Sequence, residues 1–357
     1  MPLLKKISLL IITVLLLCIS QNDVLAKGAL FSEKDEIHWG QEGAEAVIKE
    51  KGLYDDQVMQ DRAANVLRQL IPYVTRKKLP YQVQVIKDKE INAFTYPGGR
   101  IFVTDQLMRY ISTDDELAFV LGHEMGHNEN YHTVNAIERS MLGGLLTSIL
   151  FRNDKDMSGI VGTVVQVSMS RGYGFKNEHQ ADLWGFQLAT KAGYNPAAGA
   201  VFFHELQEKY GDGSQSVANF LSPHPKSSVR IENQLAYMKD FSGKRVGVSA
   251  PKTKEQTPAT IYIDNKPALV IEASHNNWSA IQRAEWVAGR LAILFRNDKN
   301  LMPEGFTVKS DEDGNFSISY ADSNPIITIW EEDASVAETD VQTLGFRWLN
   351  SLTSALR

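Results

Sequence analysis

Residues 115–127 read Asp-Glu-Leu-Ala-Phe-Val-Leu-Gly-His-Glu-Met-Gly-His, and this stretch decides how the rest of the chain is interpreted. Residues four apart on a helix lie on one face, so His123 and His127 can direct their imidazoles at one metal ion. Glu124 lies beside the first of these histidines. It can reach water on the metal without binding the metal itself, as a general base must.

The pattern is too specific to be a coincidence of composition. The chain has 8 His in 357 residues, and chance predicts only about 0.01 matches to His-Glu-x-x-His in such a chain. The alternative is a surface helix that carries two ordinary histidines. The context argues against it, because Thr113 and Glu116 form a capping-box pattern that opens a helix. The run is also apolar, and glycines at 122 and 126 let other segments approach closely.

A catalytic zinc site needs a third protein ligand. His132 is near in sequence, but its spacing from His123 places it off the ligand face of a continuous helix. Glu178 is a better candidate, because Asp182 follows it by four residues and shares its helix face. We therefore predict that Glu178 binds the metal. Asp182 is expected to accept the outer N–H of a ligand histidine, which fixes the tautomer of that histidine.

Residues 1–26 have the pattern of a secretory signal. Lys5 and Lys6 precede an almost wholly apolar run over 7–19, and small residues up to Ala26 form a cleavage site. The run is shorter than the roughly 20 residues that a spanning helix needs. We expect export to the periplasm with removal of the segment, and an uncleaved membrane anchor is the alternative. Cys18, the only cysteine, would be removed, so no disulfide is expected.

Composition and length indicate a two-domain globular protein. Hydrophobic residues make up 43% of the chain and charged residues 22%, which is ordinary for proteins with sizeable cores. The net charge of -6, without a Lys/Arg-rich stripe, argues against a nucleic-acid partner. Residues 242–258 are rich in Gly, Lys, Thr and Pro, which predicts a linker between a domain over 27–241 and a small α+β domain over 259–357. The apolar stretches 141–151 and 160–169 are expected to form buried helices, or alternatively a hairpin that dips into a membrane surface.

Four segments in combination resemble family forty-eight of the metallopeptidases. They are Asn92–Gly99, Asp115–His127, Glu178–Asp182 and the pair His224-Pro225. The family includes CAAX-prenyl endopeptidases, an inner-membrane heat-shock protease, mitochondrial relatives and bacterial periplasmic quality-control proteases, and the resemblance covers about residues 30–241.

The resemblance implies a zinc endopeptidase of the gluzincin type with one Zn²⁺ per chain. Its ligands would be His123, His127 and Glu178, and Glu124 would be the base. The implied fold is α+β and mostly helical, with a small β-sheet beside the active-site helix.

The resemblance also gives roles to residues outside the metal motif. Asn92, Ala93 and Phe94 are similar to the family's edge strand, which can hold an extended polypeptide by strand addition. His224 could donate a hydrogen bond to the tetrahedral oxyanion or occupy the fourth position on the metal in a resting enzyme. Its alternative is an ordinary loop histidine. Arg230 could support the loop that carries His224.

We therefore interpret the chain as an exported zinc endopeptidase that hydrolyses unfolded or misassembled envelope proteins through a water molecule activated by Glu124. Its partners would be polypeptide substrates bound in extended form, with further contacts to the envelope or to a membrane surface. A second hypothesis is an envelope chaperone or assembly factor with a latent or structural zinc site, whose C-terminal domain binds a protein partner. A third is a zinc hydrolase for a non-peptide substrate. The edge strand argues against the third hypothesis, because a small molecule has no strand to pair.

Overall fold

The structure is a computed structural model that describes residues 31–139, 173–211, 226–251, 257–312, 314–321 and 323–357. The expectations for the N-terminal signal, for the apolar stretches 141–151 and 160–169 and for His224 fall outside these residues. Within the described residues, no helix has both the length and the apolarity needed to cross a membrane.

The N-terminal part is mostly helical and contains one small sheet, as predicted. Its elements are α1 (Glu33–Lys51), α2 (Gln57–Leu70), β1 (Gln82–Ile86), β2 (Ala93–Tyr96), β3 (Arg100–Thr104), α3 (Asp105–Tyr110), α4 (Asp114–Glu129), α5 (Phe175–Lys191), α6 (Ala198–Tyr210) and α7 (Ser227–Phe241). Residues 132–139 are also helical. The capping box that the sequence predicts at Thr113 and Glu116 is present and starts α4.

The sheet has the strand order β1-β3-β2, with β1 parallel and β2 antiparallel to β3. A turn over Pro97–Gly99 joins β2 to β3, as the Tyr-Pro-Gly-Gly sequence predicts. Gly98 and Gly99 have φ angles of 73° and 78°, which glycine adopts at little cost. Among the described strands β2 is an edge strand, and it packs against α4.

Helices α4 and α5 approach each other closely at glycines. A Cβ atom on Gly185 would lie 2.8 Å from the carbonyl oxygen of Phe119, and one on Gly126 would lie 3.0 Å from the Cα of Ala181. Neither position has room for a side chain against that backbone. The glycines therefore set the distance between the helix that carries His123 and the helix that carries Glu178.

The C-terminal part contains two three-stranded sheets and three helices among the described residues. Its elements are β4 (Val246–Ser249), β5 (Ala259–Ile263), β6 (Lys266–Ile271), α8 (Ala280–Asn297), β7 (Phe306–Ser310), β8 (Phe316–Tyr320), β9 (Ile327–Ile329), α9 (Glu331–Val336) and α10 (Val341–Leu356). The sheet orders are β4-β5-β6 and β7-β8-β9. Strand β4 lies inside the predicted linker over 242–258, where it pairs with β5. The division into domains stays a prediction.

The C-terminal part packs directly on the N-terminal helices. Its apolar cluster contains side chains of β5, β6, α8 and α10, and also Phe186 from α5 and Met238 from α7. A buried ion pair crosses the same boundary, since His204 Nδ1 of α6 lies 2.9 Å from Glu285 Oε2 of α8. Burial alone would lower the pKa of His204, but the charge and hydrogen bond of Glu285 outweigh it and raise this pKa.

Replacement of Gly185 by alanine should lower the free energy of unfolding by about 1–3 kcal/mol, because overpacking against the backbone of α4 costs that much. Gly345→Ala is the matched control. A Cβ there meets Val308 at an ordinary 3.4 Å, and alanine gains up to about 1 kcal/mol of helix propensity. Thermal unfolding of the two variants tests this, and equal effects would contradict the close contact of α4 and α5.

The ion pair of His204 and Glu285 should stabilise the fold mainly at low pH. Because the folded-state pKa of His204 is raised, its contribution is complete below the unfolded value of about 6.5 and is lost as the pH rises through the folded pKa. The difference in melting temperature between the wild type and His204→Gln should therefore be larger at about pH 6 than at about pH 9. His38→Gln, at an exposed pair with Glu42, should show little change at either pH. A pH-independent gap for His204→Gln would refute the assignment.

Candidate metal centre

Helices α4 and α5 bring His123, His127 and Glu178 to one point. Their ligand atoms all lie within 4.8 Å of one another. His123 Nε2 lies 3.2 Å from His127 Nε2 and 3.4 Å from Glu178 Oε2, and His127 Nε2 lies 3.8 Å from the same oxygen. The three residues are 0%, 1% and 0% exposed, so the group is buried.

This donor set fits zinc. Tetrahedral zinc with bonds of about 2.0–2.1 Å requires donor atoms about 3.3 Å apart, and the observed separations of 3.2, 3.4 and 3.8 Å are close to that value. Two imidazole nitrogens and one carboxylate oxygen are also the ligand types of catalytic zinc sites, which keep a fourth position open.

Asp182 contacts the Nδ1 atom of His123, and Arg230 in turn binds Asp182. His123 Nδ1 lies 2.9 Å from Asp182 Oδ1, and Arg230 Nε donates to Asp182 Oδ2 at 2.8 Å. Burial alone would raise the pKa of Asp182, but Arg230 and His123 outweigh it and lower this pKa. Asp182 is therefore a carboxylate that accepts Nδ1–H, which leaves the Nε2 lone pair of His123 for a metal.

The contacts of Asp182 and Arg230 bear on two sequence predictions. Asp182 lies at the position expected of it, against a ligand histidine. Arg230 contacts Asp182 directly, a contact that the sequence did not reveal. Its predicted link to the His224 loop stays a prediction, since His224 lies outside the described residues.

His127 is oriented by His132, a residue that the sequence analysis considers only as a possible third ligand. His132 Nδ1 lies 3.1 Å from His127 Nδ1, and His132 Nε2 lies 3.0 Å from Gln180 Oε1. Burial lowers the pKa of His132 to about 4, so this imidazole is neutral. It can accept Nδ1–H of His127 while it donates Nε2–H to the Gln180 amide oxygen, as a partner of a ligand histidine does.

Helical spacing does not predict this role of His132, because that spacing holds only along a continuous helix. Helix α4 ends at Glu129, and Tyr131 has a φ angle of 59°. The chain therefore turns before His132, and helical spacing from His123 does not apply. The Asn-Glu-Asn sequence at 128–130 was the available signal, since asparagine favours helix ends and left-handed conformations.

Glu124 follows His123 on α4 and is buried. Burial raises the pKa of its carboxyl to about 7; the charge of His123 acts against this shift and that of Glu178 adds to it. A carboxyl group with a pKa near neutrality can both take up and release a proton at physiological pH. These properties suit the role of base that the sequence predicts for Glu124.

Edge strand β2 is fixed beside α4 by Asn128. The Asn128 side chain donates to Thr95 Oγ1 at 2.7 Å and accepts from the Gly99 amide at 3.1 Å. The predicted substrate-binding residues Asn92, Ala93 and Phe94 are each only 6% exposed.

The main-chain groups of β2 alternate in direction. The Asn92 carbonyl accepts from the Thr104 amide at 3.0 Å, and the register pairs Phe94 with Phe102. Because hydrogen-bonded pairs alternate in an antiparallel ladder, Phe94 also directs its groups at β3, whereas Ala93 and Thr95 direct theirs away from it. Of the three predicted residues, Ala93 is therefore the one placed to pair with an added strand.

The buried His, His and Glu group, carried on two packed helices, is a donor set of the kind found in zinc metallopeptidases. The chain belongs to peptidase family M48, whose model matches residues 58–238. A second model, for a domain of unknown function (DUF8459), matches residues 260–357.

The curated relatives that match this chain are also named as metalloendopeptidases or proteases. Mitochondrial metalloendopeptidase OMA1 of Arabidopsis thaliana is 26% identical over 56% of this chain and 42% of its own. The putative beta-barrel assembly-enhancing protease of Vibrio cholerae is 24% identical over 60% of this chain and 47% of its own. The mitochondrial metalloendopeptidase OMA1 of Schizosaccharomyces pombe is 27% identical over 51% of this chain and 54% of its own. The chain thus spans about half the length of the curated relatives it matches.

Loss of the His132 acceptor should weaken zinc binding. His132→Leu leaves the Nδ1–H of His127 without its partner, and we expect a 10–100-fold loss of zinc affinity, as is typical of residues that orient metal ligands. His132→Asn should keep most of the affinity, because its side-chain oxygen can accept the same hydrogen. Competition with a chromophoric chelator measures both.

His179→Leu is the matched control for His132→Leu. His179 is an exposed histidine on α5 that faces Tyr237, so its loss should leave zinc affinity unchanged. A His132→Leu protein that melts like the wild type and binds zinc equally well would show that His132 does not position His127.

Proposed function

We propose that this chain is an exported zinc endopeptidase that hydrolyses peptide bonds in unfolded or misassembled envelope proteins. The observation that carries the proposal is the buried convergence of His123, His127 and Glu178 beside Glu124. Two further observations support the envelope assignment. Residues 1–26 have the pattern of a secretory signal, and relatives named beta-barrel assembly-enhancing protease match more than half of the chain.

In this proposal His123, His127 and Glu178 hold the zinc ion, and the side chains around them control protons and geometry. Bound zinc would polarise the scissile carbonyl and lower the pKa of water at the site to about 7. Glu124 takes the proton of the attacking water and delivers it to the leaving amine. Asp182 and His132 each keep one ligand imidazole in the tautomer that presents Nε2. His224 is proposed to stabilise the oxyanion.

We propose that the substrate binds as an extended strand along β2. The outward main-chain groups of Ala93 and Thr95 would pair with the substrate backbone, while Asn92 and Phe94 keep the strand on β3. Main-chain pairing is independent of side chains, so this mode suits an enzyme that acts on many unfolded sequences.

We further propose that residues 259–357 form a C-terminal α+β domain after a linker over 242–258, and that this domain binds a protein partner. A separate family model covers nearly the same range, which supports the boundary. The apolar cluster shared with α5 and α7 supports a domain that stays docked on the peptidase helices.

Glu124→Gln tests the proposed function. The change keeps the side-chain size but removes the proton acceptor, so cleavage of casein should fall by about 10²–10⁴-fold while the zinc content stays that of the wild type. Glu178→Ala should lose the zinc itself, measured by elemental analysis of the purified protein. Glu42→Gln, on the exposed face of α1, is the matched control and should change neither quantity.

Two outcomes would count against the proposal. If Glu124→Gln retains zinc and cleaves casein like the wild type, Glu124 is not the base. If the wild type cleaves no unfolded protein but suppresses its aggregation, the chaperone hypothesis is the better one.

A further inference from the structure

A pocket that is remote in sequence from the candidate metal ligands is lined mainly by the C-terminal part. It has a volume of about 320 Å³, and its lining includes Trp278, Trp286 and Trp330 together with residues 326–328 at β9. The chain has 6 Trp, so half of its tryptophans line this one cavity. Its volume lies within the range of small-ligand sites. We call it the tryptophan pocket.

The walls of the tryptophan pocket are held in place by their own contacts. The ring of His275 stacks on Trp330, with 4.0 Å between centroids and 9° between planes, and Trp278 meets Trp286 edge to face at 4.9 Å. Arg283 donates two hydrogen bonds of 2.7 Å to the carboxylate of Asp333, which ties α8 to α9. The aromatic surface is therefore formed before any ligand arrives.

Arg290 brings a positive charge to the pocket and forms no salt bridge among the residues that the structure describes. Its Nη1 donates to the carbonyl oxygens of Pro325 and Ile326 at 2.7 and 3.2 Å, and within the described part of the chain it pairs with no acid. Its Cζ lies 6.0 Å from the ring centroid of Trp286. Burial lowers the pKa of Arg290, and the charge of Asp115 offsets this only in part. An anion in the pocket would therefore meet a partly desolvated guanidinium.

We propose that the tryptophan pocket binds a carboxylate attached to an aromatic or bulky apolar group, presented by a polypeptide chain. The carboxylate pairs with Arg290, and the apolar group lies against the indole rings. A neutral sugar could stack on the indole rings but would leave the charge of Arg290 unpaired. A phosphate is less suitable, because it favours a site with more than one unpaired cation. The cavity has room for one large side chain, so the rest of the polypeptide would lie outside it.

Two parts of a polypeptide can supply this chemistry. One is a C-terminal aromatic or aliphatic residue with its own carboxylate, and the other is an acidic side chain beside such a residue. Either would recruit chains to the protein at a point separate from peptide hydrolysis, because the pocket shares no residue with the metal ligands. Binding in the tryptophan pocket therefore does not depend on the catalytic role of Glu124.

A pair of small probes tests the charge requirement. N-Acetylphenylalanine and its amide have the same shape and differ in the carboxylate, and the tryptophans in the pocket report binding by fluorescence. With the full-length protein we expect saturable binding of the acid, and at least tenfold weaker binding of the amide. Equal binding of both, or no binding of the acid, would overturn the proposal.

Substitutions in the pocket test whether the probes bind there. Arg290→Gln should weaken binding of the acid at least tenfold and leave the amide unchanged, while Arg290→Lys keeps the charge and should restore most of the binding. Arg347→Gln removes the same charge at an exposed position on α10 and should have no effect. If Arg290→Gln does not fold, Trp330→Leu serves instead and should abolish binding. Unchanged binding in a folded Arg290→Gln protein would refute the assignment.

Peptides then distinguish the two sources of the carboxylate. Acetyl-Ala-Ala-Phe with a free carboxylate, the same peptide amidated, and amidated acetyl-Ala-Phe-Asp-Ala are titrated into Glu124→Gln protein treated with a chelator. Binding of the first peptide supports a C-terminal residue, and binding of the third supports an acidic side chain. The amidated first peptide should bind at least tenfold more weakly than the free acid. If N-acetylphenylalanine binds but no peptide does, the polypeptide assignment is wrong.

Discussion

The close contact between α4 and α5 is the constraint on which the site depends. Two candidate ligands come from α4 and one from α5, and their donor atoms must lie within about 3–4 Å of one another to share one ion. Gly126 and Gly185 allow that distance, because each faces the backbone of the opposite helix with no room for a Cβ. A small outward shift of either helix would separate Glu178 from the histidines without changing any ligand.

The charges around the three candidate ligands are compatible with a cation at this point. Glu124, Glu178 and Asp182 are buried together, and the guanidinium of Arg230 contacts Asp182. Buried carboxylates are costly unless they are compensated. A divalent ion between His123, His127 and Glu178 would add positive charge beside these carboxylates. The same surroundings leave Glu124 with a raised pKa suited to proton transfer.

The sequence predicted the parts of this structure that depend on local rules. The capping box at Thr113, the turn after Tyr96 and the helix that pairs Glu178 with Asp182 all follow from short-range spacing, and all are present. His132 was missed because its role depends on a break after α4, which helical spacing cannot express.

Features that depend on tertiary contacts also could not be predicted from the sequence. The direction of the Ala93 and Phe94 main-chain groups follows from the register with β3. The strand β4 within the predicted linker exists because β5 pairs with it. The tryptophan pocket combines residues from the loop before α8, from α8 itself and from the end of β9, and no local pattern connects them.

Zinc K-edge X-ray absorption on the purified, zinc-loaded protein tests the central claim most directly. The structure predicts two imidazole nitrogens and carboxylate or water oxygens at about 2.0–2.2 Å, in four- or five-fold coordination without sulfur. Three imidazoles in the first shell of the His224→Leu variant would instead make His132 a ligand and count against Glu178. A six-coordinate shell of oxygens alone would contradict the account altogether.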